Sequence, residues 1–261
     1  MRKFLTIILY IVLFTSCIPN KDLVYFQGNP EQSEAVKKLQ NEPYKLQVND
    51  ILDIQIKSPD ETLVALFQNQ ATSGNSSSQF SAEKIFFTGY SIDRYGNIRL
   101  PYIGSINVLG YTTTEVRKKI EKEFEAYFKN PKDIFVEVKL TGIRFTVLGE
   151  VAKTGSLILY QNQVNLVEAL ANVGDITITG NRKNVTVFRK NIDGTKRYQI
   201  NMLDISSFDS NNFFIQSNDI IYVEPLKQKS WGTGTSVMQS VTSIIAILSL
   251  VTTTILLINT L

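Results

Sequence analysis

The residues that could do chemistry are few. The chain has one cysteine, Cys17, and no histidine in 261 residues. That inventory excludes an intramolecular disulfide, a Cys/His zinc site and any histidine-dependent triad or general base. No metal site and no cofactor are expected, and the thiol of Cys17 is left with processing or anchoring chemistry. Among carboxylates, Asp50 and Asp53 could be offered as a pair for glycoside hydrolysis. Three apart on alternating strand residues they point to opposite faces, which favours turn and surface roles. No side chain stands out as a catalyst, so the chain reads as a non-enzyme.

The surroundings of Cys17 are more specific. Met1, Arg2 and Lys3 precede the apolar run FLTIILYIVLF, and Thr15 and Ser16 lead straight into Cys17. A charged start, a short apolar core and small residues make an export signal over residues 1–16. The small residues before the cysteine resemble the lipobox of bacterial lipoproteins, with Phe14 where Leu is usual. That resemblance implies cleavage before Cys17, a diacylglycerol on its thiol and an acyl chain on its new amino group. Buried acyl chains contribute about 0.8 kcal/mol per CH₂, so the anchor to membrane lipid would be nearly permanent. An uncleaved membrane anchor is the alternative, against which the apolar run is short. Residues 17–42 are polar, contain Pro19 and Pro30 and carry no sustained period, as expected of a lipidated tether.

At the other end no charged side chain follows Lys229. A linker over 227–235, with Gly232 and Gly234, leads to an apolar run that predicts a transmembrane helix over 236–259. Gln239, Ser243, Ala246, Ser249 and Thr253 fall near one face at helical spacing. Such a stripe wants a helix neighbour or water, which makes Gln239, Ser243, Ser249 and Thr253 candidates to face a pore. The plainer alternative is a tail anchor whose hydroxyls bond their own backbone carbonyls. Trp231, before the run, reads as an interfacial anchor in preference to a contact with sugar or partner.

The elements between the two ends must position whatever the protein handles. With 43% hydrophobic and 20% charged residues the chain can build a real core, and a net charge of +3 gives no ground for a nucleic-acid partner. The cluster Arg117, Lys118 and Lys119 reads as a solvated helix face. YKLQVNDILDIQI, from Tyr44, reads as two paired strands around an Asn49-Asp50 turn, and Tyr95-Gly96-Asn97 as a tight turn. Thr112 and Glu115 have capping-box spacing, and Val116, Ile120 and Phe124 form the buried stripe of the following helix. IFVEVKL alternates as a strand with Val136, Val138 and Leu140 inward. Residues 43–141 thus form an α+β domain. In residues 142–226 a strand (RFTVLGEV), a helix (LVEALANVG, capped by Asn165 and Glu168), a hairpin around Asp193-Gly194 and a closing strand (NDIIYVEP) fit a small β-grasp-like fold.

Ile92, Asp93, Gly96, Ile98, Leu100, Pro101, Ile103 and Gly104, followed by Gly110, Thr112 and Glu115, resemble the polysaccharide export domain of the Wza-type outer-membrane export family. Residues from about 143 to 225 resemble the SLBB (soluble-ligand-binding β-grasp) domain that follows it there. Asn49-Asp50 stands where Gly-Asp is usual and Val173-Gly174 where Gly-Gly is common, and a single SLBB unit is present. The resemblance implies a homo-oligomer ring in the outer membrane of a Gram-negative bacterium, with its soluble domains in the periplasm. It also implies passage of a capsular or exopolysaccharide chain without chemistry. An inner-membrane polysaccharide copolymerase with its tyrosine kinase is the partner it implies. Pro101, Tyr102 and Gly104 could line a glycan path, although a strand edge and fold marker is the favoured reading; Asp93 and Gly96 belong to the same motif. The alternative function is a monomeric periplasmic lipoprotein that binds a soluble glycan and carries a second membrane anchor.

Overall fold

The structure is a computed structural model that describes residues 19–28, 43–59, 87–127, 134–191, 194–210, 212–230 and 237–260. Cys17, the export signal and Trp231 lie outside the described residues.

The first domain begins at Tyr44. Its elements are β1 (Ile51–Lys57), β2 (Tyr90–Ser91), β3 (Asn97–Leu100), β4 (Gly104–Asn107), α1 (Thr113–Phe124) and β5 (Phe135–Leu140). β1 lies between β2 and β5, antiparallel to both, with Leu52 opposite Leu140 and Ile56 opposite Val136. β3 and β4 form a separate hairpin. The expected strand pairing within YKLQVNDILDIQI does not occur. Leu46 exchanges backbone hydrogen bonds with the loop at Gly110 and Tyr111, and only the second run becomes a strand. Its partner β5 is more than 75 residues away in sequence, a choice no local pattern can specify.

α1 forms as its boundary residues dictate. Thr112 accepts from the Glu115 backbone N–H, and the Glu115 carboxylate accepts from the Thr112 backbone N–H, so two orphan donors of the first turn are satisfied. Val116, Ile120 and Phe124 are fully buried, and the helix lies against β5.

The second domain comprises β6 (Ile143–Gly149), β7 (Gly155–Leu159), β8 (Val164–Asn165), α2 (Leu166–Asn172), β9 (Gly180–Asn191), β10 (Gly194–Ile200), β11 (Phe214–Ile215) and β12 (Asp219–Pro225). Its main sheet runs β10-β9-β12-β6-β7, with β12 parallel to β6 and the other neighbours antiparallel. Asn165 and Glu168 close a second capping box, and Gly174 follows the helix at φ 81°. Buried apolar residues of both domains join in one continuous core.

Residues 19–28 are docked on the second domain. Phe26 and Gln27 donate backbone hydrogen bonds to Met202 and Leu203, and the Gln27 carbonyl accepts from Ile205. Lys183 pairs with Asp22 at 2.7 Å, and the Phe26 ring stacks within 4.6 Å of Phe208.

The chain ends in α3 (Lys227–Ser230) and α4 (Val237–Thr260). The helix expected over 236–259 forms, but the transmembrane reading of it is corrected. Among the described residues no helix is long and apolar enough to cross a membrane. Ser249, Thr252, Thr253 and Thr254 recur between its leucines and isoleucines, and polar side chains lower the gain of moving a helix into hydrocarbon.

Candidate functional site

Two features of the first domain collect the motif residues. At the base of the β3–β4 hairpin, the Asp93 carboxylate accepts from the backbone N–H groups of Tyr95 and Asn97, at 2.8 and 2.9 Å. Gly96 takes φ 82°, and a Cβ there would meet Leu109 Cβ at 2.4 Å, so no other residue fits. Asp93 and Gly96 therefore build the turn.

At the tip of the same hairpin the backbone does something less ordinary. Tyr102 adopts φ 62°, a left-handed conformation that costs a non-glycine residue roughly 1 kcal/mol or more, and its side chain is 66% exposed. The Tyr127 hydroxyl donates to the Tyr102 carbonyl at 3.2 Å, which ties the tip to the residues just past α1. Gly104, at φ 91°, opens onto free space. A cleft of about 380 Å³ lies beside Pro101, bounded by Tyr90, Ser91 and Arg99. The tip thus holds an aromatic ring in solvent next to a concave, partly polar surface.

The second feature is the seam between the domains, of which the sequence gives no direct signal. Thr141 is tied by its backbone and its hydroxyl to the Ile51 carbonyl, at 3.0 and 2.9 Å. Next to it, Gly142 stands at φ 127°, where a Cβ would come within 2.6 Å of the Leu159 carbonyl oxygen. Across the seam, the Tyr44 hydroxyl donates to Asp50 Oδ2 at 3.0 Å and lies 3.5 Å from the Ser217 backbone nitrogen. Asp50 is 2% exposed; Oδ2 also accepts from the Gln47 N–H, while Oδ1 is buried without a well-formed hydrogen bond. Burial pushes the Asp50 carboxyl above the usual aspartate range, against the opposing pull of the nearby Ser217 side chain and the Gln47 and Tyr44 donors. The Tyr44 hydroxyl is pushed up as well, by burial first and by Asp50 second.

The carboxylates considered from sequence are not brought together as a pair. Asp50 is locked in the turn before β1, and Asp53 on β1 accepts from Gln55 at 2.9 Å. On the basic cluster, Lys119 donates to the Asn107 carbonyl and sits 3.5 Å from the Tyr111 ring centre, and Arg117 pairs with Glu121 across one helical turn. In α4 the hydroxyls of Ser249 and Thr253 donate to the carbonyls of Ala246 and Ser249, the backbone bonding of the plainer alternative. Gln239 and Ser243 lie on the same helix, but their side chains are outside the described residues.

Residues 38–140 match the polysaccharide biosynthesis/export protein family, and residues 143–223 match the SLBB domain. The two intervals coincide with the two packed domains. The chain belongs to the polysaccharide export proteins of the Wza type, as its motif residues implied. Among curated proteins it is 30% identical over 188 residues to the EPS I polysaccharide export outer membrane protein EpsA of Ralstonia solanacearum, covering 70% of this chain and 48% of that protein. It is 29% identical over 187 residues to the EpsA of Ralstonia nicotianae, covering 70% and 47%. The chain thus spans about half the length of the curated relatives it matches.

Proposed function

We propose that the protein is a subunit of an outer-membrane assembly that passes a capsular or exopolysaccharide from the periplasm to the cell surface. The observation that carries this reading is the order of its parts: an export-family domain and an SLBB domain, joined by a two-residue link and a shared core. Cys17 would carry the lipid that holds it to the outer membrane, with both domains on the periplasmic side. Several copies would form a ring around a hydrophilic path, since a closed ring lets identical surfaces satisfy one another. Passage needs weak, replaceable contacts, because tight binding would stall a moving polymer. Tyr102, held in solvent at a hairpin tip, is suited to such contacts through stacking on sugar faces, with Pro101 and Gly104 shaping the tip. The inner-membrane partner would be a polysaccharide copolymerase with its tyrosine kinase.

The test is particle imaging of the full-length protein extracted in mild detergent, together with surface polysaccharide in a strain lacking it. Rings with a central cavity and loss of surface polymer are expected. Dispersed monomers and unchanged surface polymer would overturn the reading in favour of a periplasmic glycan-binding lipoprotein.

A further inference from the structure

The seam between the domains encloses a cleft of about 400 Å³, within the range of small-molecule sites. Its lining is polar and mixed in chemistry. Asp50 and Ser217 meet there from the two domains, flanked by Asn49 and Asn218, with Arg144 and Tyr160 at the exposed side. Both asparagines hold left-handed backbones, φ 70° and 67°, a strain that clusters at functional sites.

We propose that this cleft binds a sugar unit bearing a carboxylate, in a site separate from the hairpin tip. The proposal rests on the export reading for the nature of the ligand. Vicinal hydroxyls need donors and acceptors converging from several directions, which two amides, a serine and a carboxyl supply. Tyr160 is 62% exposed and offers an aromatic face for the apolar side of a pyranose. Arg144 is exposed, and its guanidinium has no ion-pair or hydrogen-bond partner among the described residues, which leaves its fork open to a carboxylate. The buried Asp50 carboxyl resists ionisation, so its repulsion of an acidic ligand is weakened. An acyl chain is excluded as occupant by the polar groups it would have to desolvate.

The experiment is calorimetric titration of the full-length protein in mild detergent with trigalacturonate and with uncharged maltotriose. The variants are Arg144→Gln and Tyr160→Ala, both at exposed side chains, with Arg94→Gln on the first domain as control. Trigalacturonate should bind in the millimolar range or better, each seam variant should weaken it by about tenfold or more, and Arg94→Gln should leave it unchanged. Maltotriose should bind about tenfold more weakly than trigalacturonate. Absence of trigalacturonate binding, equal binding of both sugars, or binding unaffected by either seam variant would overturn the proposal. Ring formation and polymer export that persist without seam binding would cost the proposal alone. Seam binding by a protein whose loss leaves export unchanged would overturn the export reading instead.

Discussion

Arg189 and Asp219 form a two-pronged ion pair inside the second domain. Nε and Nη2 of the arginine donate to the two carboxylate oxygens at 3.0 and 2.8 Å, and the residues are 6% and 1% exposed. The arginine also donates to the Phe214 carbonyl, and the Gln216 N–H donates to Asp219 Oδ2, so the pair joins β9 and β12 to β11 and to the loop that follows β11.

Removing one partner of such a pair strands the other charge. Asp219→Asn should lower stability by about 3–5 kcal/mol. The double variant Arg189→Met with Asp219→Leu should lose less than the single one. Denaturant midpoints of the three proteins decide this; a double variant weaker than Asp219→Asn would show that the hydrogen bonds to Phe214 and Gln216 matter more than the stranded charge.

Asp50 makes an opposite prediction about pH. Its folded pKa lies above the ordinary aspartate value, so the fold favours the protonated form. Its contribution is fully present at pH below that ordinary value and is lost as pH rises through the raised folded value. The stability of the native protein relative to Asp50→Asn should therefore fall with rising pH across that window and then level off. Thermal midpoints of both proteins along a pH series test it, and a constant difference would show that Asp50 titrates as an exposed aspartate does.

At the hairpin tip, strain and proposed use point in different directions. Tyr102→Gly relieves the left-handed backbone and should leave stability unchanged or raised by up to about 1 kcal/mol. If the ring contacts the moving polymer, the same variant should lower surface polysaccharide. Parallel melting curves and surface-polymer assays separate the two effects, and unchanged export would remove Tyr102 from the glycan path.

Gly142 stands at the link between the domains and lies close against β7. Gly142→Ala puts a Cβ against the Leu159 carbonyl and requires a φ that L residues rarely adopt. A cost of about 1–3 kcal/mol is expected, together with faster proteolysis between the domains. Limited proteolysis followed by mass spectrometry would locate the cut, and cleavage at the native rate would show that the seam absorbs the change.

What could be read from the sequence was local. Both capping boxes, the α1 stripe of Val116, Ile120 and Phe124, the Gly174 cap and the alternation of β5 are each set by neighbours a few residues apart. The pairing of β1 with β5 was missed because alternation says which face is buried and not which strand lies alongside. The seam was missed for a related reason: Tyr44, Asp50 and Ser217 meet only after two domains have folded, the hydroxyl and the Ser217 backbone being 173 positions apart in sequence. Arg144, Asn218 and Tyr160 carry no motif of their own. Hydroxyl spacing in α4 was visible, but whether those groups face a neighbour or their own carbonyls is decided by rotamers.

The docking of residues 19–28 sets a path for mechanical load. Phe26 and Gln27 are sewn to Met202, Leu203 and Ile205, and Asp22 to Lys183, so residues 19–28, close behind Cys17 in the chain, are held by the second domain. Tension on a lipid at Cys17 would therefore enter through the domain that comes later in the chain. It would shear those backbone bonds before any force reached Tyr44. The mooring and the hairpin tip stand on different domains, so a tug from the membrane reaches the surface where Tyr102 meets solvent only through the core that the two domains share.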